Sequence, residues 1–593
     1  MNNYSRSSLA ILMSVFFFWG FVAASNTVLI GLFSVNFELS QFQGQMVEWA
    51  FYISYFVGSL LYLIISVAYG DPLNKIGYKK GLVLGLILSA VGALCFIPAA
   101  DTGSFPLMLT SLFTIGFGFS LQQIVANPYV IALGDASTGA HRVSMAGGIN
   151  SFGTTIGPLL LAFALYGNMA SNDKLTLETE TKKIVLDVNI ERSSKKTEMI
   201  QGGFSLDSCN NAVSGQNFVV TQNNDFNILN SIYTTLKEKG NGVLVIYRKE
   251  GSSLSENIDK LKTENKNVNI PILTINKEAL EKISSSDISS AKLNLKMEGV
   301  EKVKLPSIIL ASAFLLFALI MGMSQLPPIT NPEKIESGFG ALKYPQLVLG
   351  MIAIFFYVGT EVTTQSNLPK LLKQENFLGL DPEKTVHFIS LYWGCLMIGR
   401  WTGALKIFNF SAMVNKLMMV VVPLLAYGII LMVNLLKGSP MNDLLQFLPF
   451  VFILIGGFML SGEKPAKTMM LFGMIAALLM LTGILTEGKL AMYCIISCGL
   501  FCSVMWPCIF SLSIAGLGKY TTQGSSFLIM MILGGGIIPL IQGKLADSIG
   551  IHYSYLVPLI GFIYLTFYGW KVKHILQEQG INYDGKASSS SGH

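Results

Sequence analysis

The chain has 593 residues, of which 51% are hydrophobic and only 13% are charged, and its mean hydropathy is +0.54. A composition this apolar is typical of an integral membrane protein and excludes an ordinary soluble protein. The net charge of +6 is spread over short segments without a block of basic residues, which excludes nucleic-acid binding.

Long apolar runs dominate the chain, and a run of about 20 residues is enough to cross a bilayer as a helix. We identify about fourteen such runs, of which the tenth is short. The predicted fold class is therefore an all-α polytopic membrane protein with about fourteen transmembrane helices. The runs cover residues 9–33, 46–69, 80–99, 105–133, 146–167, 305–324, 346–366, 386–407, 413–436, 447–461, 468–486, 489–515, 524–543 and 555–572.

The basic residues of the short loops predict the orientation, because Lys and Arg resist translocation. Their distribution favours both termini in the cytoplasm, which places residues 169–303 in the periplasm. The predicted location is the inner (plasma) membrane, as a multi-pass protein. The loops that then face the cytoplasm carry Lys75, Lys79, Lys80, Arg142, Lys334, Lys343, Lys406, Lys464, Lys467, Lys519, Lys571 and Lys573.

The segment 169–303 is polar and predicts a small α/β domain between the fifth and sixth membrane helices. Its stretches GVLVIYRKEG and NIPILTINKEALEKI resemble a protease-associated type domain, and the alternative is a lineage-specific lid or spacer. Its ligand or partner is unknown. Strands are predicted at 218–221, 242–247 and 270–275, and helices at 225–239 and 254–266.

Glu361 is the only acidic residue clearly inside an apolar run. It lies roughly 22 Å from the cytoplasmic start of its helix, at about 1.5 Å per residue. An isolated charge at that depth costs about 2.5 to 3.5 kcal/mol, so it requires a partner, a water-filled cavity or a proton. We predict that Glu361 binds the coupling cation. The alternative is a carboxyl group that only joins neighbouring helices.

Two arginines are predicted to act in gating. Arg400 lies on a helix that runs the other way, nearer the cytoplasmic side, so a direct pair with Glu361 is not expected. A closing contact at the inner end suits Arg400, and the alternative is a helix cap beside Gly399 and Gly403. Arg142, in a cytoplasmic loop, is the second gating candidate.

Amide side chains inside apolar runs are candidates for a polyhydroxylated ligand, because an amide both donates and accepts hydrogen bonds. The fourth run carries such amides, and Pro128 frees a helix carbonyl beside them. Tryptophans can stack on the apolar face of a sugar, although packing is the common alternative. The predicted substrate-binding set is Asn26, Gln122, Gln123, Asn127, Asn150, Gln365, Trp393 and Trp506.

Seven sequence stretches, in chain order, resemble the fucose and glucose/galactose transporters of the major facilitator superfamily. The resemblance implies two six-helix bundles, a central sugar site and alternating access. The stretches are FFFWGFVAASNTVLI (16–30), ANPYVIALG (126–134), NSFGTTIGP (150–158), YVGTEV (357–362), IGRWTG (398–403), WPCIFSLSIAGLG (506–518) and QGSSFLIMMILGGGIIP (523–539).

The resemblance assigns roles to single residues and also shows departures. The family's polar site on the fourth helix falls on Gln123 and Asn127. The fucose branch has a glutamate where Gln123 stands, whereas the glucose/galactose branch resembles this chain there. The family's first-helix pattern has an aspartate where Thr27 follows Asn26. Neither replacement titrates near neutral pH, which argues against the fucose-type proton pair. Glu361 coincides with the glutamate of the glucose/galactose branch.

The resemblance also sets the predicted domains. KPAKTMML follows the eighth helix directly in the family pattern, so residues 413–461 resemble an inserted helical hairpin. The predicted parts are an N-terminal bundle (1–168), the periplasmic insert (169–303), the sixth helix (304–326), a cytoplasmic linker (327–345), a C-terminal bundle (346–573) and a disordered tail (574–593).

The predicted function is secondary active import of a hexose such as glucose, galactose or fucose, by symport with Na⁺ or H⁺. The alternatives are a passive facilitator and a transporter-like sensor that uses the insert. The insert has no phosphate loop and no catalytic triad, so we predict no enzyme. Seven cysteines without a CxxC pair predict neither a disulfide scaffold nor a metal site. The expected partners are a monosaccharide and the lipid bilayer, with no cofactor besides the coupling ion.

Overall fold

The computed structural model divides the chain into two compact units, Met1–Leu161 with Lys304–His593 and the intervening Ala162–Val303. Its described residues are 6–37, 41–166, 173–178, 183–192, 199–207, 218–221, 225–238, 243–247, 254, 257–258, 260–261, 272–275, 277–284, 290–294, 303–327, 338–380, 385–408, 410–436, 440–462 and 464–581.

The first unit begins with six helices, which form because their apolar runs satisfy every backbone hydrogen bond internally, as a bilayer requires. The long ones are connected by short turns, and Pro128 lies inside the fifth without ending it. The six are α1 (Arg6–Asn36), α2 (Gln41–Tyr69), α3 (Pro72–Ile76), α4 (Tyr78–Thr102), α5 (Phe105–Ala132) and α6 (Gly139–Tyr166).

The second unit contains seven strands in a closed barrel, in the order β1-β2-β6-β5-β4-β3-β7. The pairs β3–β4, β4–β5 and β5–β6 are parallel, and the others are antiparallel. Its elements are β1 (Asp173–Glu178), β2 (Lys183–Arg192), β3 (Met199–Asp207), β4 (Phe218–Thr221), α7 (Phe226–Glu238), β5 (Val243–Tyr247), β6 (Ile272–Ile275), α8 (Lys277–Ser284) and β7 (Ser290–Asn294).

Helix α7 covers the parallel part of this barrel. Leu229, Ile232 and Leu236 recur at helical spacing and are buried in one cluster with Leu244 and Ile246 of β5. Strands β4, β5 and β6 lie where the sequence predicts strands. The prediction missed β1, β2, β3 and β7, and most of the predicted helix 254–266 lies outside the described residues.

The first unit resumes after this insertion with thirteen further α-helices. They are α9 (Lys304–Met323), α10 (Pro345–Ser366), α11 (Leu368–Leu372), α12 (Val386–Gly403), α13 (Ala412–Leu436), α14 (Met441–Leu445), α15 (Leu448–Ser461), α16 (Pro465–Leu485), α17 (Gly488–Cys502), α18 (Met505–Ile514), α19 (Thr521–Met530), α20 (Gly534–Ile549) and α21 (Leu556–Glu578).

Twelve stretches of helix among the described residues are long and apolar enough to cross a membrane, so the chain is a multi-pass membrane protein. The predicted runs 146–167 and 386–407 are not among the twelve, although they form α6 and α12. The count of fourteen membrane helices therefore stays a prediction, as does the periplasmic location of the insert.

Two predicted segments near the C-terminal end compare differently with the structure. The predicted hairpin 413–461 is formed by α13 and α15 with the short α14 between them, and α13 packs against α12. The predicted disordered tail from residue 574 begins too early, because α21 continues to Glu578. Residues 582–593 of that tail lie outside the described residues, as do residues 328–337 of the predicted linker.

Candidate functional site

Glu361 lies in the middle of the first unit, on α10. The residue is only 8% exposed, and the Tyr392 hydroxyl of α12 donates a hydrogen bond to the Glu361 backbone carbonyl at 2.8 Å. Tyr357 lies one turn earlier on the same helix, and its buried hydroxyl has no hydrogen-bond partner among the described residues. The carboxylate is thus buried among helices, as its place in an apolar run predicts.

Arg400 pairs directly with Glu361, which corrects the prediction that the two lie too far apart. The Arg400 Nη2 atom is 3.5 Å from Glu361 Oε1, and the side chains are 12% and 11% exposed. Helical side chains tilt toward the N-terminus of their own helix. Helices α10 and α12 run in opposite directions, so the two side chains tilt toward each other, and the long arginine side chain covers the remaining gap.

The same guanidinium also contacts α6, on the N-terminal side of the fold. Arg400 Nη1 donates to Ser151 Oγ at 2.9 Å, to Asn150 Oδ1 at 3.4 Å and to the Gly147 carbonyl at 3.5 Å. Arg400 Nε donates to the Ser503 carbonyl, after α17, at 3.3 Å. One buried cation therefore connects the helices before the insert with those after it.

We call the surface where α6 meets α12 the α6–α12 seam. Glycines bring these helices together, since a Cβ atom added at Gly148 would lie 2.9 Å from Trp401 Cδ1. At the start of α6 and the end of α12, His141 Nδ1 lies 2.7 Å from the Gly403 carbonyl oxygen. The seam lies at the end of the unit where the linker 327–345 joins α9 to α10, which we call the linker end.

Other hydrogen bonds join the same two sets of helices toward the linker end. Tyr78 and Thr522, at the starts of α4 and α19, bring their hydroxyl oxygens within 3.0 Å. Ser525 donates to the Ile124 carbonyl at 2.8 Å. The linker-end half of this unit is therefore closed in this conformation.

An aromatic group lies beside the ion pair. The rings of Tyr357 and Trp506 are 6.2 Å apart between centroids, and Trp506 stacks on Phe510 at 6.0 Å. Of the other two predicted contacts on the C-terminal side, Gln365 is half-buried one turn beyond Glu361, and Trp393 is half-buried on α12.

The N-terminal helices provide a second polar group. Asn127 Nδ2 donates to the Gln123 carbonyl at 3.0 Å, and Gln123 Nε2 donates to the Tyr55 hydroxyl at 3.3 Å. The buried amide oxygens of Asn26 and Asn127 have no hydrogen-bond donor among the described residues. A buried acceptor without a donor is costly, so these oxygens suit a ligand that brings hydroxyl donors.

Gln122 makes its hydrogen bonds outside this group, so its role as a ligand contact stays a prediction. Its Oε1 atom accepts from Trp19 Nε1 and its Nε2 atom donates to Ser89 Oγ, both at 3.0 Å. Gly85 makes room for it, because a Cβ atom there would lie 2.6 Å from Gln122 Cγ. The amide is occupied by packing between α1, α4 and α5.

Asn150 is likewise occupied. Its Nδ2 atom donates to the Phe16 carbonyl at 3.0 Å, while its Oδ1 atom accepts from Arg400. Gly20 allows this approach of α1 to α6, since a Cβ atom there would overlap the Asn150 carbonyl. The side chain joins α1, α6 and α12 instead of presenting a free amide.

Arg142 contacts the end of α5 rather than the α6–α12 seam, and its role in gating stays a prediction. It donates from Nε to the Val130 carbonyl at 2.8 Å, from Nη1 to Thr138 Oγ1 at 2.6 Å and from Nη2 to the carbonyls of Asp135 and Ile131. A cation bound to the last carbonyls of a helix also matches the negative end of its dipole.

Sequence reasoning missed three neighbours of the ion pair. Tyr357 stands four residues before Glu361, so helical spacing alone places both on one face. Ser151 and Ser503 had no comparable signal, because they lie on α6 and just after α17, far from Glu361 in sequence. Within the described ranges, no group of three or more His, Cys, Asp or Glu residues could hold a metal ion.

No protein-family model matches the chain, but curated proteins and solved structures do. The glucose/galactose transporter of Brucella abortus biovar 1 (strain 9-941) is 27% identical over 565 residues, which cover 95% of this chain and 93% of the relative. The L-fucose-proton symporter of Escherichia coli (strain K12) is 24% identical over 562 residues, which cover 93% and 90%. Both relatives are transporters.

A crystal structure of the major facilitator superfamily transporter FucP, in the outward conformation, decides the fold. It matches with a TM-score of 0.57 at 21% identity, over 95% of this chain and 98% of that chain. The chain has the major facilitator superfamily fold. The predicted resemblance is confirmed, and so is the prediction that the chain is not an enzyme, because its homologues are named as transporters or symporters.

Proposed function

We propose that this major facilitator superfamily protein imports a hexose by alternating access, coupled to a cation at Glu361. Names of relatives support the substrate class, since they include a glucose/galactose transporter and an L-fucose-proton symporter. We place it in the inner membrane with both termini in the cytoplasm and the insert outside, as the basic loops predict.

The ion pair between Glu361 and Arg400 carries the proposal. A carboxylate this deeply buried changes the energy of the fold when it gains or loses a positive charge, because the low dielectric amplifies that change. A transporter needs a group whose charge state makes one conformation preferable to another. Glu361 is the buried acid that contacts both the C-terminal helices and, through Arg400, the N-terminal helices.

The proton is the coupling ion that these contacts favour. A Na⁺ ion requires several oxygen ligands, whereas the Glu361 carboxylate faces a guanidinium at 3.5 Å. A proton requires only the carboxylate. Thr27 and Gln123 replace the carboxylates of the fucose-type pair, which leaves this role to Glu361.

The sugar would lie between the two polar groups. The amide oxygens of Asn26 and Asn127 would accept hydroxyl hydrogen bonds from one side, and Trp506 would stack against the apolar face of the ring from the other. Gln123 and Gln365 extend these two groups, and Trp393 stays a candidate on α12.

Uptake into proteoliposomes tests the proposal. Purified protein would be given labelled glucose, galactose, fucose and mannose with an imposed pH gradient, an imposed Na⁺ gradient, or neither. We expect accumulation under the pH gradient. Equilibration without accumulation would favour a passive facilitator, which the residues Thr27 and Gln123 motivate, and accumulation under the Na⁺ gradient would replace the ion. No movement of any hexose would contradict the function.

A further inference from the structure

We infer that Arg400 is a positioning residue that converts the charge of Glu361 into the opening or closing of the α6–α12 seam. The inference rests on the proposed function, in which Glu361 takes up the coupling proton. Protonation of Glu361 would then act on one part of the fold, the α6–α12 seam.

The Arg400 guanidinium contacts Glu361 with one nitrogen and α6 with another. Arg400 Nη2 faces the Glu361 carboxylate at 3.5 Å, while Nη1 reaches Ser151, Asn150 and the Gly147 carbonyl of α6. The partners on α6 are neutral. Glu361 is the acidic side chain that pairs with Arg400 among the described residues.

Removal of the negative charge leaves Arg400 unpaired. With Glu361 neutral, Arg400 stays charged, since guanidinium does not lose its proton in proteins. A buried cation without its counter-charge strongly destabilises the conformation that buries it. Residues of α6 cover one side of the guanidinium, so separation of α12 from α6 would give Arg400 more water, and the neutral carboxyl would favour an open seam.

The α6–α12 seam reaches the linker end. It continues from Arg400 through Trp401 packed on Gly148 to Gly403 beside His141, in the first turn of α6 at the linker end. A proton taken up by Glu361 would therefore loosen the linker end, and its release would close that end again. This order of events matches import if the linker end faces the cytoplasm.

Hydrogen exchange of the full-length protein in lipid nanodiscs, without sugar, tests the inference. The peptides to compare cover 139–151 and 398–408. We expect Glu361→Gln to increase exchange at both peptides by about tenfold or more, because it keeps the shape but leaves Arg400 unpaired. Glu487→Gln is the matched control, because this exposed residue bonds Asn376 far from the seam, and it should leave exchange unchanged.

Two further variants separate charge from shape. Glu361→Gln combined with Arg400→Gln removes both charges and should bring exchange back to within about threefold of the wild type. Arg400→Lys keeps the charge but replaces the separate Nη1 and Nη2 atoms, which face α6 and Glu361, by one ammonium on a shorter side chain, so these contacts weaken and exchange should rise. Wild-type protection in Glu361→Gln or Arg400→Lys, or a double variant as open as Glu361→Gln, would overturn the inference.

The outcome is independent of transport. A protein that moves no hexose yet shows this exchange pattern would contradict the proposed function and support the role of Arg400. Proton-driven hexose uptake combined with unchanged exchange in Glu361→Gln would contradict the role of Arg400 and support the proposed function.

Discussion

Arg400 and Glu361 form an ion pair at 3.5 Å inside the membrane-spanning unit. They lie at different heights on two helices that run in opposite directions. Each side chain tilts toward the N-terminus of its own helix. The two side chains therefore tilt toward each other and meet between the heights of their backbones. The pair places two opposite charges inside the helical unit, at the contact between the N-terminal and C-terminal sets of helices.

Replacing the carboxylate should uncouple transport. We expect Glu361→Gln to abolish hexose accumulation under a pH gradient while it spares exchange of labelled for unlabelled hexose, because the site keeps its shape and loses its titratable group. Both assays would be run in the same proteoliposomes. Accumulation equal to the wild type would show that the carboxyl group is structural.

The amides on α5 should contribute to sugar binding. Gln123→Ala and Asn127→Ala should each weaken hexose binding by about 1 to 3 kcal/mol, the range for a buried hydrogen-bonding partner. Binding calorimetry would measure this, and Gln122→Ala is the comparison, because its amide is already bonded to Trp19 and Ser89. Gln122→Ala should lower stability and change affinity less than the other two variants do. The reverse order would place the ligand on Gln122.

The ring of Trp506 should matter more than its indole nitrogen. Trp506→Phe keeps an aromatic face, whereas Trp506→Ala removes it and should weaken hexose binding by about 0.5 to 1.5 kcal/mol relative to the phenylalanine variant. Equilibrium binding of a labelled hexose would compare the two. Equal affinities would indicate that Trp506 serves packing with Tyr357 and Phe510.

Arg142 should act on stability. Arg142→Ala removes several hydrogen bonds to the end of α5 and a favourable interaction with its dipole, so it should lower the free energy of unfolding by about 1 to 3 kcal/mol. Thermal unfolding in detergent would measure the loss. Hexose accumulation per folded molecule should remain, and a normal melting temperature with abolished accumulation would instead support Arg142 as a gating residue.

The insert should be dispensable for transport. Replacing residues 172–300 by a short Gly/Ser linker should leave the hexose affinity and accumulation of the first unit unchanged, because the two units are compact separately. Uptake in cells that express equal amounts of both proteins would compare them. Loss of uptake with intact membrane insertion would make the insert part of the transport cycle.

Much of the fold is predictable from apolar length, since the predicted runs recur as helices such as α4, α5 and α16. The insert was less predictable. Strand β1, with the sequence DKLTLE, pairs with β7, which lies more than a hundred residues later. No local pattern specifies so distant a partner.

The candidate site was also only partly predictable from the sequence. Burial cost alone singled out Glu361, but the partners of Gln122, Asn150 and Arg142 depend on how closely neighbouring helices approach. Glycines such as Gly20 and Gly85 set those approaches. Sequence showed the glycines without showing which side chain each one admits.

Proton movement driven by sugar is the decisive test of coupling at Glu361. A hexose that the wild type accumulates would be added outside proteoliposomes that contain a pH indicator and have no imposed gradient. The account predicts that the wild type acidifies the lumen as sugar enters, and that Glu361→Gln does not. Sugar entry into wild-type vesicles without acidification, or acidification by Glu361→Gln equal to the wild type, would contradict it.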